Sequence, residues 1–258
     1  EKDFPAAKDL FLAHGYRPWR ELTAIEETRH FRSNHAYTLV RSVDGLSLDL
    51  HWRITQERYA FALDVESLWN RLTRTSFCGR DVFSLSPEDS LLVLCVHGSK
   101  HCWERLAWIC DVAEVIRANA GLNWKEIMSR AEALNIEKVV ILGLKLANEV
   151  IGARMPENVL AKIREHRKVR LVTRMVRKRL FARANRPIGL VERTLLFWMT
   201  GERLETKLPH LAYTFGRVFV PNEHDTTLVS LPRAIRFLYY PLRFFRLITS
   251  HGTITRRR

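Results

Sequence analysis

Apolar and polar residues change their period once along this chain. Over residues 46–53 they alternate strictly: Leu46, Leu48, Leu50 and Trp52 point one way, Ser47, Asp49, His51 and Arg53 the other. That pattern predicts a strand over 46–54 with one buried face. A second strand is expected over 35–42, and Asp44-Gly45 between the two is a strong short hairpin signal. Upstream, Phe4, Ala7, Leu10 and Phe11 mark an amphipathic helix over 3–14, with Asp3 at its start and Gly15 at its end. A short helix is expected over 65–72.

From residue 86 the period lengthens from two to about 3.6. Ser86-Pro87-Glu88-Asp89 reads as a helix start: Ser86 caps, Pro87 suits the first turn, and Asp89 stands three residues after the cap. The helix it opens carries Leu91, Leu92, Leu94, Cys95 and Val96. Helical patterns continue over 103–119, 123–134 with Asn123 as cap, 136–151, 157–183, 188–200, 206–218 and 232–249. The organisation predicted is a small piece with strands over 1–85 and a mainly α-helical region over 86–258. No internal repeat or low-complexity tract interrupts it.

Composition narrows the class. With 258 residues, 47% of them hydrophobic and 27% charged, the chain has enough apolar material for a core. That excludes a disordered, collagen-like or disulfide-stapled small protein. The net charge of +14 is uneven: residues 1–150 hold 19 Lys+Arg against 21 Asp+Glu, and residues 151–258 hold 23 against 7. The basic half calls for an anionic neighbour: nucleic acid, acidic lipid headgroups or a phosphorylated substrate.

Four cysteines, Cys78, Cys95, Cys102 and Cys110, show no C-x-x-C spacing. Cys95, Cys102 and Cys110 lie among helix-forming apolar residues and are expected to be buried free thiols, which points to a reducing, cytoplasmic compartment. No run reaches the ~18 apolar residues of a membrane span, and no signal peptide opens the chain.

Three groups of residues can carry chemistry. Asp49 is held rigidly on a strand, as a metal ligand needs, or is a solvent-facing acid on a half-wet sheet; His51 shares its face. His97 and His101 are i, i+4 on a helix and meet on one face, with Asp111 further on. The zinc-protease pattern needs Glu after the first His, and Gly98 stands there. The alternatives are a His/Asp metal cluster, as in a metal hydrolase, and partly buried polar residues between packed helices. The third group is basic and aromatic. Arg164, Arg167, Lys168, Arg170, Arg174, Arg177, Lys178 and Arg179 crowd one helix. Arg233, Arg236, Arg243 and Arg246 interleave with Phe237, Tyr239, Tyr240 and Phe244, and Arg256 to Arg258 follow. This mixture suits an anionic lipid surface, a nucleic-acid face with stacking aromatics, or a core-facing stripe with solvated arginines.

Leu-Asp-Leu-His-Trp at 48–52, Leu-Ser-Pro-Glu-Asp-Ser-Leu-Leu at 85–92 and the segment from Cys95 to Glu114 resemble a bacterial family of poorly characterised nucleotidyltransferases. Pro-Asn-Glu-His-Asp at 221–225, with Leu-Tyr-Tyr-Pro-Leu-Arg after it, looks like that family's ending. The family belongs to the DNA polymerase β-like superfamily and occurs among polysaccharide-synthesis genes. The resemblance implies an α+β fold: a partial nucleotidyltransferase palm, a short antiparallel or mixed sheet with helices, followed by a mainly α-helical region. It implies transfer of a nucleoside monophosphate from a nucleoside triphosphate to an unknown acceptor, with Mg²⁺ in a two-metal site. Asp49 matches the superfamily's third metal-binding carboxylate and His51 the histidine after it. His97, Lys100, His101 and Asp111 match the distinctive helical segment and are assigned to cofactor binding.

The superfamily's other two carboxylates come from an Asp-x-Asp strand after a Gly-Ser turn, and Asp-x-Asp occurs nowhere in this chain. The chain opens at Glu1, without Met, on residues that resemble the segment downstream of that strand. The expectation is an N-terminally truncated chain with an incomplete metal site and little or no turnover. A reading of another class stands beside it: a non-catalytic module that binds an anionic surface through its basic helical half. Either way the protein is expected in the cytoplasm, with peripheral contact to an anionic membrane and no transmembrane segment.

Overall fold

The computed structural model describes residues 3–55, 65–182, 188–201, 216 and 232–243. The chain forms two compact units, Glu1–Arg71 and Leu72–Arg258. The fold is α+β, with short antiparallel sheets followed by a helical region.

In the first unit, helix α1 (Phe4–Ala13) leads through Gly15 into the short strand β1 (Tyr16–Pro18). Helix α2 (Ala24–Ser33) follows, then β2 (Ala36–Arg41) and β3 (Ser47–His51). The strands form one antiparallel sheet in the order β1-β2-β3. A capping box opens α2: the Glu26 N–H donates to Thr23 Oγ1 at 3.4 Å, and the Thr23 N–H donates to Glu26 Oε2 at 2.9 Å. The β2–β3 hairpin turns through Asp44-Gly45, where Gly45 takes φ +74°. Arg41 Nε donates to Asp44 Oδ1 at 2.9 Å, and with the Leu46 N–H it holds the Asp44 carboxyl down at about 2.

Register fixes the faces. Tyr37 pairs with Leu50 and Leu39 with Leu48, while Thr38 pairs with Asp49 and Ala36 with His51. Tyr37, Leu39 and Trp52 form a buried cluster against Phe4 and Phe11 of α1, Phe31 of α2, Tyr16, Leu22 and Leu48. Phe31 stacks on Trp52 with ring centroids 4.7 Å apart. Both helices thus cover one face of the sheet, and Asp49 and His51 stand on the other.

Helix α3 (Val65–Trp69) closes the first unit. The second unit begins with β4 (Thr73–Phe77) and β5 (Arg80–Ser84), which pair as an exposed hairpin around Cys78-Gly79. Helices α4 (Pro87–Lys100), α5 (Leu106–Ala118), α6 (Trp124–Ala133) and α7 (Glu137–Leu146) follow, and a π-helical turn over Ala147–Ile151 extends α7. Next come α8 (Glu157–Glu165), α9 (Arg167–Leu180) and α10 (Leu190–Thr200), with a 3₁₀ helix over Arg233–Leu238. Residues Val139 to Leu146 of α7 are all buried, and α7 touches α4, α5, α6, α8, α9 and α10. A helix enclosed on every side over eight residues is the centre of a bundle, and its one charged member there, Lys145, is paired with Glu149.

Several expectations change here. The sequence pattern shows neither α2 nor the β4–β5 hairpin. The helix expected over 157–183 breaks at His166, whose ψ of 87° is not helical. The reason is phase. Val159 and Ile163 are buried in α8, and Val169, Val172 and Val176 in α9. One continuous helix would turn the second set roughly 130° from the first at 100° per residue. Cys110 is exposed, contrary to expectation, because α5 buries Ile109, Val112, Ala113 and Ile116 and Cys110 lies off that stripe. All four thiols are free; burial raises Cys95 to about 12 and Cys102 to about 11. The helix expected over 206–218, apart from residue 216, the ending at 221–225, and residues from 244 onward lie outside the described residues.

Candidate functional site

Strand β3 builds the first candidate site. Its alternation sends Leu48 and Leu50 toward the core and leaves Asp49 and His51 exposed. The Thr38 hydroxyl, directly across the ladder, donates to Asp49 Oδ1 at 2.6 Å. That bond orients one carboxylate oxygen and leaves the other for a ligand. The His51 ring lies 5.4 Å from that of His35, and its Nδ1 is 3.4 Å from the Arg53 carbonyl. By register Arg17 of β1, opposite Val40, belongs to the same face. This face therefore carries one carboxylate, imidazole groups and an exposed guanidinium. Asp49 is its single acidic residue among the described strands.

Trp52 ends the Leu-Asp-Leu-His-Trp motif and anchors it. Its Nε1–H donates to the Asn34 carbonyl at 3.1 Å, and the indole is buried. The motif is thus half buried scaffold and half exposed candidate site, divided by the strand period.

The Ser86–Asp89 motif is scaffold throughout. The Asp89 N–H donates to Ser86 Oγ at 3.1 Å, which caps α4 as the sequence predicts. Glu88 Oε1 accepts the Asn123 N–H at 3.0 Å and ties α4 to the start of α6. Asp89 is fully buried and ion-paired with Arg130 of α6.

The segment from Cys95 to Asp111 mixes both roles. Helix α4 ends in a Schellman motif: the Trp103 N–H reaches the Gly98 carbonyl at 2.8 Å and the Cys102 N–H the Ser99 carbonyl at 2.9 Å. Cys102 and Trp103 are both left-handed, with φ +55° and +52°, and this reversal lays the Trp103 ring back on Gly98. A Cβ on Gly98 would stand 2.4 Å from that ring, and one on Gly143 of α7 would stand 2.5 Å from Cys95 Sγ. Gly98 is therefore the seat of a tryptophan, which explains why no Glu follows His97. Glu104 then accepts the Ile188 N–H at 3.3 Å and lies 3.5 Å from Arg179 and 3.6 Å from Arg193, linking this loop to α9 and α10.

His97 and His101 do meet on one face, with ring centroids 4.7 Å apart. Trp108 completes the cluster at 5.6 Å from His97 and 4.9 Å from His101, and Arg105 lies 5.7 Å over its ring. All three rings are half-buried. Lys100 is 6% exposed, and Asp111 is exposed on α5. Among the described residues no three His, Cys, Asp or Glu side chains converge as a metal-binding group.

The family described as uncharacterised nucleotidyltransferase matches residues 1–152, more than half of the chain. Comparison with curated proteins and with solved structures finds no match.

Proposed function

The chain belongs to the uncharacterised nucleotidyltransferases, and we propose that it carries the acceptor-side part of a centre that moves a nucleoside monophosphate from a nucleoside triphosphate to an acceptor. The acceptor oxygen bonds to the α-phosphorus, the bond from that phosphorus to the bridging oxygen breaks, and pyrophosphate leaves with the electron pair. The observation that carries this reading is Asp49. It is an exposed carboxylate on the sheet face opposite helices α1 and α2, fixed by Thr38, in a chain of this family. His51, on the same face, is the neighbouring group that takes the acceptor proton. Arg17 suits the charge of the triphosphate.

Members of the superfamily use Mg²⁺, which in a two-metal centre activates the nucleophile and neutralises the leaving group. Mg²⁺ favours carboxylate oxygens and water. Asp49 is a suitable donor, yet it is the single acid on this face of the described strands, so these residues supply one ligand and not the set for two ions.

The half-buried His97–His101–Trp108 rings support a nucleotide contact in the second unit, because a base stacks on such a surface. Lys100, assigned to the same contact, is buried at the end of α4, and Asp111 is exposed on α5. Peripheral contact with an anionic membrane through the basic half belongs to the same reading. No described helix is long and apolar enough to cross a membrane.

The test is a transfer assay on the protein in its full reading frame, with Mg²⁺, each labelled nucleoside triphosphate and cell extract as acceptor source. Pyrophosphate release and label transfer that vanish in Asp49→Ala support the reading. Transfer that persists in Asp49→Ala, or absence of any Mg²⁺-dependent nucleotide binding, overturns it.

A further inference from the structure

Helix α9 divides its residues cleanly. Val169, Val172, Thr173 and Val176 are buried and fix its inner side. Diametrically opposite, Arg167, Leu171, Arg174 and Lys178 recur at steps of four, three and four residues and so form one line along the outer surface. Phe181, directly after the helix, continues that line. All five are exposed, Leu171 to 54% and Phe181 to 66%. Arg170 and Arg177 flank the line on one side and Lys168 on the other.

The charge of this row is not balanced internally. The first turn of α9 holds no acid. Arg177 reaches Glu149 at 3.1 Å, and Arg170 donates to the Arg164 carbonyl at 3.1 Å. Among the described residues no acid pairs with Arg167, Lys168, Arg174 or Lys178, whereas Arg117 and Arg164 are paired with Glu114 and Glu157. An extended row of like charge at the surface draws a multivalent anion.

The apolar members of the row select among anions. A phosphodiester backbone offers cations a partner but offers Leu171 none. At a bilayer surface the cations meet headgroup phosphates while leucine and phenylalanine enter the acyl boundary beneath them. We propose that the outward row of α9, from Arg167 to Phe181, docks the folded protein on an anionic lipid bilayer. Because the apolar side of α9 is already used by the core, the helix docks as part of its unit and is not peeled away. The inference deepens the membrane contact above and does not depend on nucleotidyl transfer, since its test contains no nucleotide.

The test floats the purified full chain with vesicles of phosphatidylcholine alone or with about 30% phosphatidylglycerol. The expected result is binding to the anionic vesicles only, weakening steeply with salt. Arg174→Glu with Lys178→Glu lowers apparent affinity about tenfold or more. Leu171→Ser with Phe181→Ser, which leaves the charge untouched, also weakens binding. Lys125→Glu with Arg154→Glu makes the same change in net charge off the row and leaves binding in place. Arg167→Glu serves as a second row variant if the first loses the wild-type thermal midpoint. Equal binding to neutral vesicles, no binding, or an equal loss in the off-row variant overturns the proposal. So does binding displaced by a single-stranded oligonucleotide and indifferent to Leu171→Ser, which marks a nucleic-acid face instead.

Discussion

The indole of Trp103 occupies the space that any side chain on Gly98 would need, at 2.4 Å from where a Cβ would stand. Gly98→Ala is therefore expected to destabilise the helical unit by about 1–3 kcal/mol, as overpacking does in a filled core. Gly98→Glu, which would complete a zinc-protease pattern, is expected to unfold the unit and not to bind zinc. Urea titration reads both, and a wild-type midpoint for Gly98→Ala would remove Trp103 from the packing argument.

Asp89 and Arg130 form the buried link between α4 and α6. Arg130→Leu leaves the Asp89 carboxylate enclosed without its guanidinium and is expected to cost about 3–5 kcal/mol. Urea denaturation of that variant against wild type is the measurement. A loss within ~0.5 kcal/mol, typical of surface substitutions, would show that the pair is not what holds the two helices.

Glu149 sets a pH dependence. Burial pushes its carboxyl up, and the hydrogen bond and charge of Lys145 at 2.6 Å, with Arg177 at 3.1 Å, more than offset that, leaving it below its ordinary 4.5. A carboxyl depressed in the folded state stabilises fully above its unfolded value and loses that contribution as pH falls through the folded one. Thermal midpoints measured on acidification below 4.5 are thus expected to fall more steeply in wild type than in Glu149→Gln. Parallel curves would refute the ion network.

Asp49 and Trp52 separate the proposed site from the scaffold within one motif. Asp49→Asn is expected to leave stability within about 0.5 kcal/mol, because the side chain is exposed. Transfer activity, in contrast, is expected to vanish. Trp52→Ala is expected to cost about 3–5 kcal/mol, since the indole is enclosed by Phe4 and Phe31. Calorimetry on the two variants distinguishes these outcomes.

Features with a local cause were legible in the sequence. A period of two assigns Asp49 and His51 to one face wherever Leu48, Leu50 and Trp52 take the other. Ser86 and Asn123 cap their helices as read, through bonds to residues three positions on. Helix α2 escaped the periodic reading because its capping box at Thr23 and Glu26 introduces a segment with few apolar residues and no obvious stripe. The turn of the β4–β5 hairpin hides because Cys78, not Gly or Asn, takes φ +51° beside Gly79. The break at His166 has no Gly or Pro to mark it; only the phase of the valines does. The ion pair of Asp89 and Arg130, 41 residues apart, and the seating of Trp103 over Gly98 arise from packing and have no sequence pattern of their own.

From Val139 to Leu146 helix α7 is buried on every side, and six other helices touch it. Such a helix has nothing to gain by forming alone, so its order arrives only when the surrounding helices arrive. Unfolding of the helical unit is consequently all-or-none at its centre. Amide protons of Val140 to Leu146 are expected to exchange with solvent only when the whole bundle opens, and those near Phe181, at an exposed helix end, long before.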